Sequence, residues 1–167
     1  ALDGIKLAVG EDALKRRTFS VSHFYKEVFL PRISQIAEDE RDHVMAYMLR
    51  SPFLDADVKE VLKRTACIKT SHTKRLMKPG DLVHPADSIT NLFLKEEDLF
   101  PHELYHSNLA ALIDLGMTSE VDTDVLVNRA QFLDSRKTAF KGGNDQLKNL
   151  ASYLLKAVQR RWRRRHG

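Results

Sequence analysis

Phe24, Tyr25, Val28 and Phe29 recur at intervals that gather four large apolar groups on one broad helical face, with Ser22 placed to cap the helix. Pro31 either kinks that helix or opens the next, and Ile33 and Ile36 continue its apolar pattern. Val44, Met45, Met48 and Leu49 form a second stripe that Ser51-Pro52 ends, so the spacing predicts a helical hairpin. Val58, Val61 and Leu62 extend the helical signal to about Arg64.

The period then changes. Short runs at 66–70 and 75–78, divided by the polar Ser71-His72-Thr73-Lys74, predict one small β-hairpin. Pro79-Gly80-Asp81 and His84-Pro85-Ala86-Asp87 are turn chemistry, with Leu82 and Val83 between them to hold the loop to the core. After the apolar patch Leu92-Phe93-Leu94, Pro101 stands as the first residue of a helix expected to reach Leu115 and stop at Gly116. Asp122 or Thr123 caps the next helix, on which Val125, Leu126, Arg129, Phe132 and Leu133 repeat, and Gly142-Gly143-Asn144 breaks it from the last.

That last segment has the longest amphipathic pattern: Leu147, Leu150, Ala151, Leu154, Leu155, Val158 and Trp162. The expected fold is mainly α, a bundle or hairpin array of about six to seven helices with one small β-hairpin. Residues 1–135 read as one helical module, and 136–167 as an amphipathic, Arg-rich helix that packs on it or extends it.

Composition narrows the class. The chain has 167 residues, 43% of them apolar, enough to bury one core. No apolar run nears the roughly 18 residues that a membrane-spanning helix needs. The start at Ala1 lacks the basic-then-apolar order of a signal peptide and reads as a segment cut from a longer chain. A single cysteine, Cys67, leaves no internal disulfide framework and points to a reducing compartment, by default the cytoplasm. It reads as a small buried hydrophobe without a chemical role. The formal net charge of +4 is concentrated in Arg160, Arg161, Arg163, Arg164 and Arg165, which leaves the remainder near −1.

Two motifs carry candidate chemistry. His102-Glu103-Leu104-Tyr105-His106 matches the pattern in which two histidines one helical turn apart bind zinc and the glutamate activates water. On an α-helix the two imidazoles share a side with Leu109 and Ile113. Against a zinc hydrolase, the motif occupies a first turn, and Glu120 and Asp122 are poorly placed as a third ligand. No catalytic residue, cofactor or metal is therefore assigned, and His102 and His106 stand as a candidate pair only. The arginines flanking Trp162 could contact phosphates or another acidic surface while the indole stacks, although Trp162 also continues the apolar stripe. Gly142-Gly143 lacks the Gly-Lys-Ser/Thr of a phosphate loop.

Several landmarks also occur in a fixed order. His23-Phe24-Tyr25-Lys26, Leu30-Pro31-Arg32-Ile33, Asp39-Glu40-Arg41-Asp42, the 68–77 hairpin, Lys78-Pro79-Gly80-Asp81-Leu82, Pro85-Ala86-Asp87, Phe100-Pro101 and Leu112-Ile113-Asp114-Leu115-Gly116-Met117 follow one another. From about Ser22 to Ser135 this set resembles the repeating region of the sacsin family, in the part after the ATP-binding portion of each repeat. The resemblance implies a cytosolic, chaperone-associated setting in a much larger chain, with heat-shock chaperones or their clients as partners. It makes His102-Glu103-Leu104-Tyr105-His106 an ordinary helical stretch. No Asp-x-Gly-x-Gly run is present, so nucleotide binding does not carry over. The leading expectation is a non-catalytic scaffold or protein-interaction module. The alternatives are a zinc hydrolase through His102, Glu103 and His106, and nucleic-acid or acidic-surface binding through Arg160 to Arg165.

Overall fold

The computed structural model describes residues 20–51, 54–136 and 144–166. Its first helical stretch changes winding twice. An α-turn, α1 (Val21–His23), passes into a π-helical turn, Phe24–Phe29, and then into a 3₁₀ turn, Leu30–Gln35. The cap is Ser20 rather than Ser22: Ser20 has the extended backbone a cap requires, and its hydroxyl accepts from the His23 N–H at 3.1 Å. Ser22 already lies in the helix and its hydroxyl donates to Asp55. Pro31 falls in the first 3₁₀ turn, where its missing N–H breaks no bond. Tyr25, Phe29, Leu30 and Ile33 turn into the core.

Helices α2 (Glu38–Arg50) and α3 (Ala56–Arg64) follow the predicted stripes and bury Met45, Met48 and Leu49 against Val58 and Leu62. Three acids in the first turn of α2 complement its positive end. The hairpin forms in antiparallel register, with β1 (Ile68–Lys69) against β2 (Leu76–Met77) and Ile68 opposite Met77. Leu82 and Val83 are buried as the loop reading required. A short helix, α4 (Asp87–Thr90), precedes the Leu92 patch.

Pro101 does not open a helix. It forms an isolated antiparallel bridge with Thr70, secured by Ser71 N–H to Phe100 O and His102 N–H to Lys69 O, both 2.9 Å. A third short segment thus extends the hairpin, and it pulls the chain out of helical conformation at Pro101. His102 then caps a 3₁₀ turn, Glu103–Asn108, before α5 (Leu109–Asp114) begins. Gly116 ends α5 as expected, at φ 109°, with Gly116 N–H bonded to Ile113 O and Met117 N–H to Leu112 O.

Asp122 caps α6 (Thr123–Ser135) by accepting from Val125 N–H at 2.8 Å. Asn144 caps α7 (Asp145–His166) by accepting from Gln146 and Leu147 N–H. The expected Gly142-Gly143 break lies outside the described residues.

Buried side chains form two clusters. The first joins α2, α3, β1 and α5 around Met45, Met48, Leu62, Ile68, Tyr105 and Leu112. The second holds α6 against α7 through Leu92, Leu126, Leu150 and Leu154. The molecule is mainly α with one small antiparallel sheet. No described helix is long and apolar enough to cross a membrane.

Candidate functional site

The zinc-like motif lies on the 3₁₀ turn. His102 stands before its first residue, with extended backbone, and its Nδ1 accepts from Leu104 N–H at 3.2 Å as a cap. A 3₁₀ turn has about three residues per turn, so side chains four apart diverge instead of sharing a face. His106 is exposed, Glu103 is exposed, and Tyr105 between them is fully buried. The α-helical juxtaposition of His102 and His106 is therefore corrected: the bridge at Pro101 imposes a winding in which the motif's residues separate. Among the described residues, no three His, Cys, Asp or Glu side chains are grouped as metal ligands.

Tyr105 instead reaches a buried polar centre. Burial, then the Asp42 charge, pushes its phenol above the usual range, against the opposing pull of the Lys69 backbone. Lys69 Nζ bonds Asp42, and Glu38 Oε1 at 3.1 Å, while Arg41 reaches Asp42 Oδ1 at 3.3 Å from both Nε and Nη2. Burial alone would lower the Lys69 pKa, but the bonds to Asp42 and Glu38 outweigh it and raise the pKa. Cys67 is close by, and burial pushes its thiol up to about 12. A thiol held in that form is a poor nucleophile, consistent with a packing role.

A second polar centre surrounds Asp98, which is 2% exposed in left-handed backbone. It accepts from Thr70 Oγ1 at 2.6 Å, from His72 N–H at 2.9 Å, and from both the N–H and hydroxyl of Thr73. Beside it Glu97 accepts both bonds of Arg129, at 2.8 and 2.7 Å, and Arg129 lies over the rings of Phe93 and Phe132. Neither centre was legible from sequence. Asp98 follows Glu96-Glu97, which reads as a solvated acidic run, and Lys69 alternates with Ile68 as a solvent-facing strand residue would.

The Arg-rich end divides. Arg161 is half-buried and its Nη1 donates to Val121 O at 3.1 Å, whereas Arg160 and Arg163 are exposed and Trp162 is 64% exposed. The side chains of Arg164 and Arg165 lie outside the described residues. Sequence spacing missed a further surface. Phe24, His43 and Val44 are shared by two adjoining cavities of about 810 and 620 Å³ between the first helical stretch and α2, the larger one rimmed by Val21 and the 72% exposed Tyr47. The available signal was Tyr47, a large aromatic placed off the α2 core stripe. A third cavity, of about 800 Å³, lies between the hairpin turn and α7, with His72, Phe93, Phe100, Gln146 and Tyr153 on its walls.

No family model matches the chain, and no solved structure matches it. Human sacsin is 31% identical to it over 123 residues, covering 70% of this chain and 3% of sacsin. The ordered landmarks and this match agree, and the chain is a sacsin-related segment.

Proposed function

We propose that this chain is a non-catalytic scaffold or protein-interaction module of a sacsin-like protein. The observation that carries the reading is how the molecule uses its side chains. Its buried charges are bonded to one another, to threonine hydroxyls or to backbone, at Lys69 with Asp42 and at Asp98 with the hairpin turn, while large apolar groups such as Tyr47 and Trp162 stand exposed. Ionisable groups engaged in this way hold segments together, and exposed aromatics are the side chains that carry binding energy at protein interfaces. The resemblance to the sacsin family adds a cytoplasmic, chaperone-associated setting, with heat-shock chaperones or their clients as partners.

The test is turnover. The purified chain, assayed with peptide substrates, ATP and added zinc, is expected to give no hydrolysis that a substitution at His102, Glu103 or His106 removes. Turnover lost in Glu103→Gln would overturn the proposal in favour of a zinc hydrolase.

A further inference from the structure

Helix α7 carries a polar face separate from its packed leucines and from the side that bears Trp162. At about 100° per residue, Gln146, Asn149, Tyr153, Lys156, Arg160 and Arg163 fall within one arc of about 100°, along roughly 25 Å of helix. Trp162 lies on the opposite side from Tyr153, so the indole and this row do not share a surface. The first half of the face, Gln146 to Tyr153, is a wall of the cavity of about 800 Å³ and shares it with Phe93, Phe100 and His72. Those other walls are fixed in advance: Arg129 lies 4.4 Å from the centroid of the Phe93 ring, and the His72 N–H is bonded to Asp98. The second half is cationic. Lys156 joins the halves, its Nζ 5.7 Å from the centroid of the Tyr153 ring. Lys156, Arg160 and Arg163 are exposed, and no Asp or Glu follows Asp145 in the sequence. Among the described residues none of the three forms an ion pair. Like charges three and four residues apart repel along a helix, and an anion laid across them relieves that cost.

We propose that this face binds single-stranded nucleic acid, with a base in the cavity and the adjoining phosphates on Lys156, Arg160 and Arg163. Phe93, Phe100 and Tyr153 offer ring surfaces for stacking, and the amides of Gln146 and Asn149 both donate and accept, as the edge of a base requires. Glu96 and Lys95 at the cavity offset one another in charge, which suits a neutral ring. The assignment goes beyond the protein-interaction reading and does not depend on it. A duplex would present phosphates to the cations but keep its bases stacked away from the cavity. An acidic protein segment would satisfy the cations and leave the aromatic walls unused. A mononucleotide is too short, because Tyr153 and Arg163 stand roughly 15 Å apart along the axis.

The full chain is titrated into a short labelled oligouridylate and followed by fluorescence anisotropy, with a duplex of the same length and polyglutamate in separate arms. The single strand is expected to bind saturably, with log K falling against log salt at a slope of about −2 for three phosphate contacts. Arg160→Gln with Arg163→Gln should weaken binding about tenfold and flatten the slope to about −0.7. Tyr153→Ala should also weaken it about tenfold but leave the slope unchanged, and Tyr153→Trp should restore it. Tyr153 is 43% exposed, so the circular dichroism should not change. Asn149→Ala, at a second exposed position of the wall, should weaken binding in the same way, whereas Trp162→Leu should leave the affinity as it is. The proposal fails if the single strand does not bind at low salt, if the duplex or polyglutamate binds as tightly, or if Trp162→Leu weakens binding as much as Tyr153→Ala.

Discussion

At Asp98 and Lys69 hydrogen bonds outweigh the effect of burial, and the two act at opposite ends of the pH scale. For Asp98, burial alone would raise the carboxyl pKa. The hydroxyls of Thr70 and Thr73 and the N–H groups of His72 and Thr73 outweigh it and hold the pKa below the ordinary value. On unfolding the carboxyl regains a pKa of about 3.9. Its stabilising contribution is thus present above that pH and lost as pH falls through the lower folded value. Lys69 has the opposite sign: its raised pKa contributes stability below the unfolded value of about 10.4 and loses it as pH rises through the folded one. Asp98→Ala strands four donors and should cost about 2–3 kcal/mol at neutral pH. Lys69→Met leaves Asp42 with Arg41 alone and should cost about 3 kcal/mol. Urea midpoints across pH check both: the acid-side slope should flatten in Asp98→Ala and the alkaline-side slope in Lys69→Met.

At the scale of elements, the end of α5 separates two glycines that look alike in sequence. Gly116 sits at φ 109°, a conformation that L side chains rarely adopt, although a Cβ there would meet only Gly80 Cα at 3.7 Å. Backbone strain rather than crowding sets its requirement, so Gly116→Ala should cost about 1–3 kcal/mol. Gly80, with no positive φ and only Gly116 O at 3.9 Å from an added Cβ, should accept alanine within about 0.5 kcal/mol. Thermal melts of the two variants test the contrast. Local chemistry made this stop legible in advance, as it did Asp122 at the start of α6 and the stripes of α2 and α3. Pro101 was misread because its partner, Thr70, is distant in the chain and no periodicity marks such a bridge. The error then passed to His102 and His106, whose shared face existed only on an α-helix. The α7 stripe was legible as a helix, but spacing alone could not say that Leu154 would be covered and Leu155 exposed.

For the whole molecule, the question is what makes two apolar clusters behave as one body. The adjoining residues Glu97 and Asp98 link them. Asp98 grips the turn of the hairpin, whose strand β1 belongs to the first cluster, while Glu97 grips Arg129 of α6, which belongs to the second. Both Glu97 carboxylate oxygens accept from the single Nη1 of Arg129, the pair is mostly shielded, with side chains 13% and 11% exposed, and Arg129 is further fixed between Phe93 and Phe132. Removing the carboxylate should cost about 1–3 kcal/mol. The more informative consequence concerns cooperativity, because the loss falls on the joint and leaves Leu112 and Leu150 packed in their own clusters. In the parent chain, Trp162 emission, which reports α7, should melt together with far-ultraviolet circular dichroism, as one two-state unit. In Glu97→Ala the emission should change first, with amide exchange rising in α6 and α7 while β1 and α5 stay protected. Leu150→Ala should produce the same order of events from inside the second cluster, at a cost of about 2–5 kcal/mol. If both probes still coincide in Glu97→Ala, the two clusters are coupled through the chain elsewhere and the joint at Glu97 and Asp98 is only a local tie.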